Sequence, residues 1–79
     1  MALPAIESNK IAAMPQNELF TYFCDNARHI EDAPAKGPHY AIRFGSRSYF
    51  NEDTAELWWA FKHAVELHRR RTGIKVHAK

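Results

Sequence analysis

Seventy-nine residues, 46% of them apolar and including five Phe, three Tyr and two Trp, can form one domain at most, near the size at which a core supplies only about 3–5 kcal/mol. That apolar content argues against a disordered chain, no stretch approaches the ~20 apolar residues of a membrane span, and the single Cys24 rules out an internal disulfide. A net charge of +2 is too small to imply nucleic acid by itself. One thiol without a staple fits a reducing cytosol better than secretion. Met1–Ile6 lacks the basic region and long apolar run of a signal peptide, so a soluble, cytoplasmic protein is expected. Charge is polarised along the chain. Five acids and two bases lie between Glu7 and Asp32, against five bases and no acid from Leu67 to Lys79.

Residues 1–13 carry little local signal. Pro4 and Ser8-Asn9-Lys10 suggest an extended or turning lead, or a short edge strand around Lys10–Met14. Met14-Pro15-Gln16-Asn17-Glu18 resembles a helix entrance, because proline suits the first turn. Leu19, Phe20, Phe23, Cys24, Ala27 and Ile30 then recur at helical spacing, predicting a helix over 15–29 with Cys24 on its buried face and Glu18, Thr21, Asp25 and Arg28 outside. Pro34, Gly37 and Pro38 mark the segment 31–38 as a connecting loop.

Two aromatic-rich runs, 39–44 and 47–50, flank Gly45-Ser46 and predict a β-hairpin, with Tyr40, Ile42 and Phe44 alternating onto one face. A two-residue turn would add Tyr49 to that face and put Phe50 with Arg43. A three-residue Gly45-Ser46-Arg47 turn would do the reverse, and is preferred because it leaves one face uniformly apolar. The outer face would then carry His39, Arg43 and Tyr49, with Arg47 at the tip.

The chain's organising stretch is 53–71. Asp53 and Glu56 form a capping-box-like start. Acids at the beginning and Arg69, Arg70 and Arg71 at the end complement the helix dipole, and Gly73 sits where a left-handed cap belongs. Leu57, Trp58, Phe61, Ala64, Val65 and His68 fall in an arc of about 100°, the core stripe. Trp59 projects nearly opposite, beside Ala55, His63, Glu66 and Arg70. It is part of a second buried surface, or lies flat over neighbouring side chains, or is an exposed anchor for a partner or a second subunit. Ile74-Lys75-Val76 reads as a third short strand or a basic tail over 74–79. Together these elements predict an α+β domain spanning 1–79, α-β-β-α, with two helices on a small antiparallel sheet.

Candidate chemistry is sparse. His63 and His68, five apart, point about 140° from each other on a helix, and neither HxxxH nor HExxH occurs, so no metal or other cofactor is expected. His68, on the core stripe, is a boundary histidine needing a hydrogen-bond partner. Cys24 behaves as a small buried hydrophobe, Ser46 is a hairpin tip rather than a nucleophile elbow, and three glycines make no phosphate loop. The expectation is a non-enzyme. What remains is basic and aromatic: Arg43, Arg47 and Tyr49 on the hairpin, Trp59, His63 and Arg70 on the last helix, and Arg69 and Arg71 at its end. These residues define the candidate partner-binding set. The bland alternative is helix-end dipole complementation and a solvated tail.

In size and character along the whole chain, the sequence resembles the small inhibitors encoded by phages and mobile elements, including anti-CRISPR proteins: one compact α+β domain, no catalytic signature, mixed charge. No shared motif carries a site residue across. The resemblance implies a non-catalytic protein that binds a larger bacterial effector complex in the host cytoplasm and blocks its access to DNA. The alternative is a small nucleic-acid-binding accessory protein using the same arginines on phosphates. A homodimer sealed by Trp59 is a third reading.

Overall fold

The structure is a computed structural model that describes residues 5–30 and 39–76. The expected 31–38 loop and the end of the tail, 77–79, lie outside the described residues. In chain order the elements are α1 (Ala5–Ala12), α2 (Gln16–Asn26), β1 (Arg28–His29), β2 (Tyr40–Phe44), β3 (Arg47–Asn51) and α3 (Thr54–Thr72). The strands form one antiparallel sheet in the order β1-β2-β3. The class is α+β as predicted, with one helix and one strand more than α-β-β-α.

Local chemistry sets both ends of α3. The Asp53 carboxylate accepts from the Ala55 amide at 2.8 Å, Asn51 Oδ1 accepts from the Asp53 amide at 2.9 Å, and Gly73, at φ 74°, donates to the Arg69 carbonyl at 2.7 Å. The predicted stripe is the core: Leu57, Phe61 and Val65 are fully buried, and Ala64 nearly so. Phe61 is the hub. Tyr22 stacks on it at 6.1 Å, Phe44 meets it edge-on at 6.0 Å, and Phe23 and Trp58 lie at 5.8 and 6.3 Å. Such offset and edge-on pairs add to simple area burial.

Residues 1–4 of the lead lie outside the described residues; the rest, expected to be extended or a strand at Lys10–Met14, forms the helix α1 instead. Its anchor is distant in sequence. Pro15 has no amide to give the Ile11 carbonyl, so Met14 donates there through a tighter turn at 3.1 Å. The carbonyls of Ala12 and Met14 are taken by Arg69 of α3, from Nε at 2.6 Å and Nη2 at 2.9 Å. His68 Nε2 bonds Asn9 Oδ1 at 2.9 Å, supplying the partner expected for that boundary histidine. These bonds hold α1 against α3 with Ile11 and Ala12 buried in the core.

α2 stops at Asn26, three residues before the predicted end. Asn26 Nδ2 donates to the Tyr22 carbonyl at 2.8 Å and Arg28 Nη1 to the Asp25 carbonyl at 2.7 Å, while Ala27 turns extended at φ −67°, ψ 132°. Side chains thus occupy the last carbonyls, and Arg28 and His29 pair with Ala41 and Tyr40 as β1. The helix is rotated from the expected setting: Leu19 and Phe23 are buried, Phe20 is half exposed, and Cys24 is exposed rather than buried. Ile74-Lys75-Val76 forms no strand; it trails from Gly73 with Ile74 packed on the core.

The hairpin turn has two residues, not the preferred three. The pairs are Phe44–Arg47, Arg43–Ser48, Ile42–Tyr49, Ala41–Phe50 and Tyr40–Asn51. Gly45 has φ +65° and no non-glycine residue among those described has positive φ, so glycine precedes a serine of negative φ, the sign pattern of a type II′ turn. A three-residue loop would place Arg47, not glycine, in the left-handed position. Tyr49 therefore joins the inner face with Tyr40, Ile42 and Phe44, correcting its expected place outside. Phe50, expected on the inner face, is instead half exposed on the outer face with Arg43 and Ser48.

The Gly45 tip rests on α1, where a Cβ at Gly45 would stand 2.8 Å from Ser8 Oγ. Gly45→Ala should cost at least about 1–2 kcal/mol by urea unfolding, from the backbone conformation alone. Arg69→Ala should cost about 1.5–3 kcal/mol by the same measurement, the range for hydrogen bonds to a charged group. Arg69→Lys should recover little of it, because an ammonium cannot reproduce the guanidinium fork.

Candidate functional site

α3 packs on the sheet and on α1 and α2 by one stripe, which leaves its remaining flanks available. Trp58 and Trp59 are neighbours about 100° apart around the axis, and they meet different fates. Trp58 is half-buried, edge-on to Phe20 at 5.1 Å and Phe23 at 5.2 Å, with the Lys62 ammonium 5.4 Å from its ring. Trp59 is 65% exposed. Of the readings of its sequence position, the second buried surface is absent among the described residues, while an indole lying flat over a neighbouring side chain is what the structure shows. The indole is not loose, however. It lies parallel to the His63 ring, one turn on, with centroids 5.6 Å apart and 4° between planes. Glu66 and Arg70 continue the same stripe and are exposed. An aromatic pre-set in one orientation loses less conformational freedom when a partner covers it.

The other predicted residues do not gather on one hairpin face. Arg47 and Tyr49 of β3 and Arg71 of α3 line one groove of about 460 Å³ between the hairpin tip and the end of α3. Arg43 is exposed on the outer sheet face, paired in register with Ser48. Arg69 is committed to the α1 carbonyls, which gives it a structural task. Trp59, His63 and Arg70 share the exposed stripe. The eight residues thus occupy three surfaces and one internal bond.

Some features of these surfaces have no counterpart in the sequence reading. Ser8, Leu67 and His68 also line the groove; α1, which brings Ser8 there, is the helix that sequence patterning does not reveal. An open apolar depression of about 610 Å³ lies where Phe20, Cys24, Tyr40 and Trp58 meet. The alternation of Phe20 and Phe23 at the edge of the predicted stripe is its only sequence trace.

The histidines stay apart. His29 sits edge-on to Tyr40 at 5.2 Å, His68 is edge-on to Phe44 at 5.4 Å and bonded to Asn9, and His39 and His63 are exposed elsewhere. Among the described residues no group of three or more His, Cys, Asp or Glu is placed to hold a metal ion, and no helix is long and apolar enough to cross a membrane. No protein family, curated protein or solved structure matches the chain.

Because Trp59 and His63 contact the core through neither ring, Trp59→Ala and His63→Ala should each leave unfolding stability within about 0.5 kcal/mol of wild type. His63→Ala should nonetheless shift the Trp59 indole N–H resonance, as the stacked ring is removed. A loss well beyond that range on Trp59→Ala would place the indole in the core.

Proposed function

We propose that this chain is a non-catalytic binding protein that docks on a larger protein or nucleoprotein partner through the outer stripe of α3. Trp59 is the anchor, His63 its brace and Arg70 its charged flank. The observation that carries this reading is the exposed Trp59 held flat on His63. Trp and Arg are the residues most often found at the energetic centre of interfaces, and here a rigid helix presents both. The apolar body of the indole supplies desolvation, while Arg70 and Glu66 give directional polar contacts around it.

The mode of action proposed is occlusion. A domain of this size, seated on an effector complex, covers a surface and keeps DNA from reaching it, as anti-CRISPR inhibitors do. The bacterial cytoplasm is the corresponding location. Arg43, on the outer sheet face, and the groove arginines Arg47 and Arg71 lie off the α3 stripe, and in this reading they steer the approach to an acidic or nucleic-acid-bearing partner.

The test combines capture with interference. The chain is expressed in bacterial strains that each restrict a phage with a different CRISPR interference type, and phage plating is compared for wild type and Trp59→Ala. The expected result is restored plating in at least one strain, lost with Trp59→Ala, together with nuclease-resistant co-purification of that strain's effector complex. For the purified pair, Trp59→Ala should weaken binding by about 2 kcal/mol or more, roughly thirtyfold. Unchanged plating in every strain would sink the inhibitor reading. A mass that doubles with concentration and reverts with Trp59→Ala would assign the stripe to self-association instead.

A further inference from the structure

The groove beside the hairpin tip stands apart from the Trp59 stripe and has its own chemistry. Its walls come from α1, both strands and the turn of the hairpin, and α3, among them Ser8, Phe44, Arg47, Tyr49, Leu67 and Arg71. Neither the Arg47 nor the Arg71 guanidinium has a hydrogen-bond or ion-pair partner among the described residues, and no Asp or Glu among them lines the groove. Two unneutralised guanidiniums on one concavity repel each other and raise a positive potential that an anion relieves. Guanidinium is also the group whose planar fork matches phosphate oxygens.

The remaining walls are not basic. Tyr49 is half-buried with its ring packed against the core, Leu67 is 43% exposed, and His68 is committed through Nε2 to Asn9. The groove therefore joins an anion-seeking rim to an aromatic and aliphatic wall. Its frame is rigid: the Arg69 fork and the His68–Asn9 bond lock α1 to α3, and Gly45 seats the hairpin tip on Ser8. A volume of about 460 Å³ lies within the range of small-ligand sites.

We propose that this groove binds a nucleotide, free or as one unit of a single strand, with its phosphate on Arg47 and Arg71 and its base against Tyr49 and Leu67. A peptide carboxylate would satisfy the charge but leave the apolar wall in water, whereas a nucleotide carries both the anion and the flat ring that this pairing accepts. The site is independent of Trp59, so the inference stands or falls apart from the docking surface.

The experiment is a fluorescence-anisotropy titration of a short fluorescein-labelled oligothymidine with the full chain, between about 50 and 200 mM salt. Saturable binding is expected. Arg47→Gln and Arg71→Gln should each weaken it and lower the salt slope by about 0.7, the single-strand value per phosphate contact. Arg70→Gln, outside the groove, and Trp59→Ala should leave it unchanged. Tyr49→Leu should weaken binding roughly tenfold, and Tyr49→Phe should restore it while showing by circular dichroism the same melting as wild type. Competition by thymidine monophosphate as effective as by unlabelled strand, nucleotide for nucleotide, assigns the site to free nucleotides; competition by strand alone assigns it to the polymer. Absence of saturable binding overturns the proposal. So does equal weakening by Arg70→Gln, which would mark diffuse charge, or displacement by polyglutamate as effective as by strand, which would mark an acidic-protein site.

Discussion

The bond on which the rest of the molecule depends joins the Arg69 guanidinium to the last carbonyl of α1, at Ala12, and to that of Met14 in the turn that follows. A helix that runs into a proline has carbonyls that no following amide can meet. In a larger protein water or a loop would satisfy them. Here a side chain from the far end of the chain does so, at 2.6 and 2.9 Å. One fork therefore terminates α1, sets the angle at which the chain enters α2, and seals Ile11 and Ala12 into the core. In a domain whose core supplies only about 3–5 kcal/mol, a pair of charge-assisted bonds is not a minor addition. It also positions Ser8, which receives the hairpin tip, so the same bond shapes the groove that lies between tip and helix.

α3 shows how a small domain can expose much of a helix without losing its core. Phe61 draws four aromatic rings from three elements into one cluster, and concentrating the apolar contacts on a single stripe frees the other flanks. The stripe that bears Trp59 lies on the side away from the sheet. The groove lies along the flank that faces the hairpin tip. The two surfaces differ in chemistry as well as position, one aromatic with mixed charge and the other basic with an apolar wall, so each can be altered without disturbing the other.

How much of this was legible in the sequence follows from where each determinant sits. α3 was readable almost to the residue because its cap, stripe and left-handed stop are all local: Asp53, Leu57 to Val65, and Gly73. α1 was not, because Ser8 and Asn9 are indifferent helix formers and the helix is held by Arg69, fifty-seven residues from Ala12, a relation no window can see. β1 was absorbed into the preceding helical stripe, since two residues leave no alternation to detect and the helix end is made by Asn26 and Arg28 side chains rather than by a glycine. The hairpin register failed for a different reason. A uniform apolar face was weighed above the placement of glycine at the first turn position, and the backbone obeyed the turn. Periodicity located Trp59 opposite the core but left its exposure undecided, and the convergence of Arg47, Tyr49 and Arg71 needed the docking of β3 against α3 to become visible.

The separation between Arg69 and the carbonyls it holds has a consequence during synthesis. The ribosome releases α1 before Arg69, which is made fifty-seven residues after the Ala12 carbonyl it caps. Until α3 has emerged, α1 has neither its terminal partner nor the apolar stripe that buries Ile11 and Ala12, and contacts of such long sequence separation form late. A nascent chain thus carries α1 unanchored until α3 has followed it out.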